Sequence, residues 1–172
     1  QPVLPDDERL ADIQAAGEQY LRAQGFVQYE VSAWTREQPS AHNLNYWQFG
    51  DYLAAGAGAH GKVSWPDRIE RFQKTRLPRD YLRQQPAPAQ QVQVLEGGEL
   101  PFEFLMNALR LHDGVPAALY PVRTGQSLSV LQQQLQPLRA QGLLVADPDR
   151  LAATPLGWRY LNQLLTALLP PD

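Results

Sequence analysis

His42-Asn43-Leu44-Asn45-Tyr46-Trp47-Gln48-Phe49-Gly50-Asp51-Tyr52, running on into Gly56-Ala57-Gly58-Ala59-His60-Gly61, is the stretch that decides how this chain is read. It gathers two imidazoles, three carboxamides, four aromatic rings and a glycine-rich run into one short segment. His42 offers a ring nitrogen to a metal or a proton donor, and Asn43 and Asn45 bring amides able to orient it. On a helix, Tyr46 follows His42 by one turn on the same face, and Trp47 falls about 140° around from it. That arrangement suits a flat aromatic ligand. The plainer alternative is a hydrogen-bonded core or boundary histidine among packed aromatics, and the residue types alone favour it.

The whole string His42 to Lys62, HNLNYWQFGDYLAAGAGAHGK, resembles the HNxxYW, GDY and GAHG block of the HemW-type heme chaperones and oxygen-independent coproporphyrinogen III oxidase-like proteins. These belong to the radical S-adenosylmethionine (SAM) class. The likeness extends through Gly25-Phe26-x-x-Tyr29-Glu30-Val31-Ser32, Lys74-Thr75-Arg76-x-Pro78, Pro101-Phe102-Glu103-Phe104-x-Met106-Asn107 and Thr124-Gly125. It implies that His42 binds heme iron, and on that reading Asn43 or a carbonyl fixes the imidazole tautomer and Tyr46 and Trp47 lie against the macrocycle. It also implies a main-chain SAM contact at Thr35 and a place near the SAM adenine for Met106, for which a core methionine is an equal reading. Many relatives carry a basic or long polar residue where this chain has Ala41, which removes a propionate contact from that position.

Composition sets the limits. A chain of 172 residues with 44% hydrophobic content and mixed charge buries a core, and a net charge of −3 argues against a nucleic-acid binder. No apolar run is long enough to span a bilayer, so the expected compartment is the cytoplasm. Cysteine is absent, which excludes disulfides and thiol catalysis. Radical SAM proteins hold a 4Fe–4S cluster with a CxxxCxxC loop, because thiolates suit iron-sulfur clusters. That loop is lacking here, and the chain opens abruptly at Gln1-Pro2-Val3-Leu4. The expectation is therefore a C-terminal part of a longer protein, with cluster and SAM held in a missing N-terminal barrel, in preference to a cluster-free relative.

The expected fold is α/β locally and α+β overall: the edge of a radical SAM partial TIM-type barrel over residues 1–83, a linker over 84–99, and a winged-helix-like HemN-type domain over 100–172. Asp6 to Gln24 reads as a helix, stopped by Gly25, and Phe26 to Ala33 as one strand with its C-terminal end toward a ligand pocket. Glu30 and Ser32 on that strand are either a solvated polar pair or part of the pocket. Trp34 to Ala41 reads as a polar loop. Lys62–Trp65 and Arg68–Phe72 read as a hairpin about Pro66-Asp67, and Pro78 opens a short helix. Lys74, Arg76 and Arg79 form a solvated basic edge or pair with propionates or phosphate.

The Pro/Gln run from Gln84 and the Gly97-Gly98 pair mark the linker, beyond which the second part packs as its own core. Helices are expected at Pro101–His112, Pro116–Arg123, Ser127–Gln141 and Pro155–Leu169, with a β-wing of Leu143–Val145 and Leu151–Ala153 around Asp147-Pro148-Asp149. The third helix offers Arg139 as its fixed cation, too little for DNA, which leaves the domain a packing and lid role. His60 and His112 lack ligand-spaced partners and read as structural or surface residues.

Three functions follow: a heme chaperone that delivers heme to an acceptor protein, an oxygen-independent coproporphyrinogen III oxidase of porphyrin biosynthesis, and a ligand-free winged-helix interaction module. The second depends on the cluster, since the cofactor carries the difficult step.

Overall fold

The computed structural model describes residues 5–83 and 90–169. The opening Gln1–Leu4 and the Pro/Gln run at 84–89 lie outside the described residues. Helix α1 spans Asp7–Ala23; the Asp6 carboxylate accepts from the Arg9 backbone N–H at 2.9 Å, and Asp7 and Glu8 stand in the first turn. Both features favour the positive end of a helix dipole. Gly25 leaves with φ 79°, a left-handed conformation that costs glycine little. No residue of α1 is buried, and Leu10, Ile13 and Tyr20 on it are exposed.

The single strand expected over Phe26–Ala33 is instead a hairpin of β1 (Val27–Glu30) and β2 (Ala33–Thr35), paired antiparallel. The cause lies in Glu30, whose Oε1 accepts from both the backbone N–H and the hydroxyl of Ser32, each at 3.0 Å, and so bends the chain at Val31-Ser32. β1 is tied on its other side to the stretch after the fourth helix. Val31 N–H donates to the Arg110 carbonyl and His112 N–H to the Tyr29 carbonyl.

Helix α2 (Ala41–Trp47) is capped by Ser40, whose hydroxyl accepts from the Asn43 N–H. It ends at Gln48, and Phe49 follows with φ 56°, unusual for a bulky side chain. The hairpin about Pro66-Asp67 is present as β3 (His60–Ser64) and β4 (Ile69–Lys74). Residues Gln90–Val94, read as linker, form a third antiparallel strand β5 on β4. Their alternation explains the difference: Gln91 and Gln93 point one way and Val92 and Val94 the other, so the segment fits a pleated edge. Helix α3 (Pro78–Arg83) lies between β4 and β5 in the chain.

The second half contains α4 (Leu100–Ala108), β6 (Val115–Pro116), α5 (Leu119–Thr124), α6 (Ser129–Ala140), β7 (Arg150–Leu151), α7 (Pro155–Arg159) and α8 (Leu161–Thr166). β6 pairs with β7, and Leu144 bridges Ala153 antiparallel, which makes the small wing. The closing helix is broken at Tyr160 into α7 and α8. Phe104, Leu105, Ala108, Leu109, Tyr120, Leu131, Leu135 and Leu164 are all but completely buried. Phe49, Ile69 and Leu95 belong to the same hydrophobic cluster, with the Phe49 and Phe104 rings 5.6 Å apart. The core of the second half is thus not closed on itself: α2 and the three-stranded sheet contribute to it.

Candidate functional site

The short helix α2 sets the site. Its residues at positions four apart share a face, so His42 and Tyr46 meet edge to face with ring centroids 4.6 Å apart. Tyr46 in turn meets Tyr52 edge to face at 4.4 Å. The three rings form one continuous track from the helix N-terminus to the sheet. His42 is exposed, and among the described residues no carboxylate hydrogen bonds to its ring. Burial pushes the Tyr52 phenol above its ordinary range, partly offset by the positive charge of Arg71.

Asn43 does not serve His42. Its side-chain N–H donates to the Tyr29 hydroxyl at 2.9 Å, because one residue along the helix turns it about 100° away from the imidazole and toward β1. Asn45 donates to the Asp51 carbonyl at 2.8 Å and closes the turn after the helix. Its carboxamide leaves no room at Gly50, where a Cβ would stand 2.1 Å from the Asn45 Oδ1. Trp47 is half-buried against the core, with the Arg110 guanidinium 4.3 Å over its ring and its indole N–H buried without a hydrogen-bond partner. Tyr46 is therefore the ring beside the imidazole, while Trp47 anchors the helix from beneath.

Arg110, which no local sequence signal marks, joins three elements. Its Nη2 lies 3.4 Å from the Glu30 carboxylate and donates to the Ser32 hydroxyl at 3.2 Å, while its guanidinium covers Trp47. Glu30 is buried, not solvated. The second unforeseen group is Lys62, buried beneath the glycine-rich run, with its Nζ 2.9 Å from Asp51 and 4.2 Å over the Phe49 ring. Burial pushes Lys62 below its ordinary range against the pull of Asp51; the N–H and hydroxyl of Ser64 and the Lys62 ammonium hold Asp51 below its own.

Gly61 sits where a Cβ would stand 2.6 Å from the Phe72 ring and 2.9 Å from the Ala54 nitrogen, so the glycine-rich run serves close packing here. A cleft of about 420 Å³ opens beside it, lined by the polar Tyr52, His60, Arg71, Gln73, Gln91 and Gln93 and by the apolar Phe72 and Val92. Arg71 pairs with Glu103, and burial raises the Glu103 carboxyl above its ordinary range despite that partner.

Thr35, on β2, lines a separate shallow concavity with Phe26, Trp34 and Arg36; its hydroxyl donates to the Gln38 carbonyl and accepts from the Glu37 N–H. Met106 is half-buried on α4. His112 is exposed, beside Asp113 and edge-on to Trp158. Lys74 donates to Gln90 at 2.6 Å, across the β4–β5 pairing. Among the described residues there is no cluster of three or more His, Asp or Glu able to hold a metal ion, and no helix is long and apolar enough to cross a membrane.

Comparison with known proteins adds the following. The HemN C-terminal domain family matches residues 95–160. The chain is 44% identical over 170 residues to the Escherichia coli (strain K12) protein named heme chaperone HemW, covering 98% of this chain and 44% of that one. It is 41% identical to the Haemophilus influenzae protein of the same name, covering 99% of this chain and 45% of that one. A bovine protein named radical S-adenosyl methionine domain-containing protein 1, mitochondrial, is 32% identical, covering 96% of this chain and 40% of that one. The chain thus spans less than half the length of these relatives. Among solved structures, coproporphyrinogen III oxidase (HemN) from Escherichia coli, described as a radical SAM enzyme, superposes with a TM-score of 0.69 at 13% identity, over 96% of this chain and 42% of that one. The mixed helix-and-strand architecture is shared with that protein.

Proposed function

Because the chain belongs to the HemW-type family and carries a HemN C-terminal domain, we propose that it forms the heme-binding part of a heme chaperone. The observation that carries this reading is the exposed His42 imidazole, edge-on to Tyr46 and unpaired with any carboxylate among the described residues. Neutral imidazole is a common axial donor to heme iron, and a ring alongside gives the macrocycle apolar surface to cover. His42, exposed on α2, offers its ring nitrogen to a porphyrin from one side. That suits a cargo taken up and passed to an acceptor protein better than a permanently sealed group.

Within this assignment His42 coordinates iron and Tyr46 stands beside the porphyrin. Trp47 and Asn43 keep the helix in place, the first through Arg110 and the core, the second through Tyr29. An iron-sulfur cluster, where present, belongs to residues outside this segment, since its 172 residues contain no cysteine to supply a thiolate, while Thr35 and Met106 are the positions here that would meet SAM. Oxidase chemistry is for the same reason not assigned to it.

The test is a hemin titration of the intact protein and its His42→Ala variant, followed by absorbance. The reading expects the Soret band of bound hemin to move and affinity to fall in the variant. An unchanged spectrum and dissociation constant would leave His42 a surface histidine.

A further inference from the structure

The ring track His42–Tyr46–Tyr52 does not end in solvent. Tyr52 is itself a wall of the cleft on the three-stranded sheet, whose other polar lining side chains come from successive strands: His60 on β3, Arg71 and Gln73 on β4, Gln91 and Gln93 on β5. The pairing explains why they converge. His60 is opposite Gln73, and Gln73 opposite Gln91; Arg71 is opposite Gln93. Residues directly opposite one another in a sheet project from the same face. Phe72 and Val92, at the alternate register positions, border the same cleft and add apolar surface to it.

This lining is rich in hydrogen-bond donors. Three carboxamides, a phenol, an imidazole and a guanidinium line one space, and the Glu103 carboxylate is already paired with Arg71. Asp51 is turned to Lys62 and Ser64. Nε of Arg71 is buried with no hydrogen-bond partner. Such a wall receives an acceptor-bearing ligand group, and a carboxylate best, because bonds from N–H donors to a charged oxygen are stronger than neutral ones.

We infer that this cleft receives the carboxylate edge of a porphyrin whose iron is held by His42, with His60 and the Gln73 and Gln91 amides as donors. The inference rests on the heme reading of His42 and extends it to the ligand's polar end. It adds a recognition element for dicarboxylate porphyrins that the iron ligand alone cannot supply, since an imidazole binds iron whatever the periphery carries.

Hemin and hemin dimethyl ester, which lacks the two carboxylates, separate the two claims. In the intact protein, hemin is expected to bind about tenfold more tightly than the ester. Gln73→Glu, an exposed position on β4, is expected to weaken hemin by a similar factor through like-charge repulsion and to leave the ester unchanged. His60→Gln, also exposed, is expected to narrow the hemin preference. Equal affinity of wild-type protein for both compounds, or equal loss of both in Gln73→Glu, would overturn the carboxylate subsite. If His42→Ala still shifts the Soret band while these variants do nothing, the iron assignment stands and this inference falls. If His42→Ala is silent and Gln73→Glu still discriminates between the compounds, the subsite exists but the iron assignment is wrong, and the inference as stated falls with it.

Discussion

Nη2 of Arg110 stands 3.4 Å from the Glu30 carboxylate, joining residues 80 apart in sequence. The contact pins the hairpin of β1 and β2 to the end of α4 and, through the Trp47 ring beneath the same guanidinium, to the helix that carries His42. Glu30→Ala leaves the Ser32 N–H without its acceptor and the arginine with the Ser32 hydroxyl alone. The expected loss is about 2 kcal/mol in stability, reduced from the range for a fully buried pair because Arg110 is partly exposed. Denaturant midpoints of Glu30→Ala, Arg110→Ala and the double variant check it, and strict additivity would mean that the two side chains do not interact.

Tyr46→Leu keeps helix propensity and apolar character but removes the ring beside His42. Hemin affinity is expected to fall roughly 3- to 10-fold, the worth of one aromatic contact, while the spectrum of histidine-ligated heme persists. Loss of that spectrum would show instead that Tyr46 controls ligation.

Gly61→Ala forces a methyl group against the Phe72 ring and the Ala54 backbone. A cost of about 1–3 kcal/mol is expected from overpacking. Gly98, where a Cβ meets no atom within 4 Å, supplies the control, and Gly98→Ala is expected to be close to neutral. Thermal melts of both variants distinguish packing from a general intolerance of side chains in glycine-rich segments.

Asp51 is held below its ordinary value of 3.8 by Ser64 and Lys62 despite the opposing effect of burial. Between the folded and unfolded values the unfolded chain binds more protons, so this group stabilises the fold above 3.8, and the contribution is lost as pH falls through the depressed folded value. Asp51→Asn is expected to be less stable at neutral pH and to lose less on acidification. Glu103 runs the other way: its raised value means that stability drops as pH climbs from 4.5 through the folded value, and Glu103→Gln removes that drop. Urea midpoints across the acid range read both effects.

Elements whose signals are local were legible in the sequence. Asp6 and Gly25 mark the ends of α1, Pro66-Asp67 turns the hairpin, and Asp147-Pro148-Asp149 separates the two sides of the wing. What escaped depends on distant partners. Phe26–Ala33 alternates like one strand, and only the buried Glu30 accepting from Ser32 and meeting Arg110 turns it into a hairpin. Arg110 reads as an ordinary surface cation at a helix end, since nothing nearby announces Glu30 or Trp47. The strand at Gln90–Val94 did carry an alternation, overshadowed by the Pro/Gln composition before it. At the site, His42 and Tyr46 followed from helical spacing, whereas the inward turn of Asn43 required Tyr29, 14 residues earlier. The cleft wall was invisible because its residues come from three strands whose register no short window contains.

Helix α1, 17 residues long without one buried side chain, has a consequence for exchange with solvent. A helix of this length held by its own hydrogen bonds and caps is close to the helix–coil balance in water. Its amide protons should therefore trade for deuterium on a timescale near that of a free peptide, while those of Leu105 and Ala108, deep in the core, wait for global opening. Any surface that comes to lie over Leu10, Ile13 and Tyr20 would announce itself first as a slowing of that exchange.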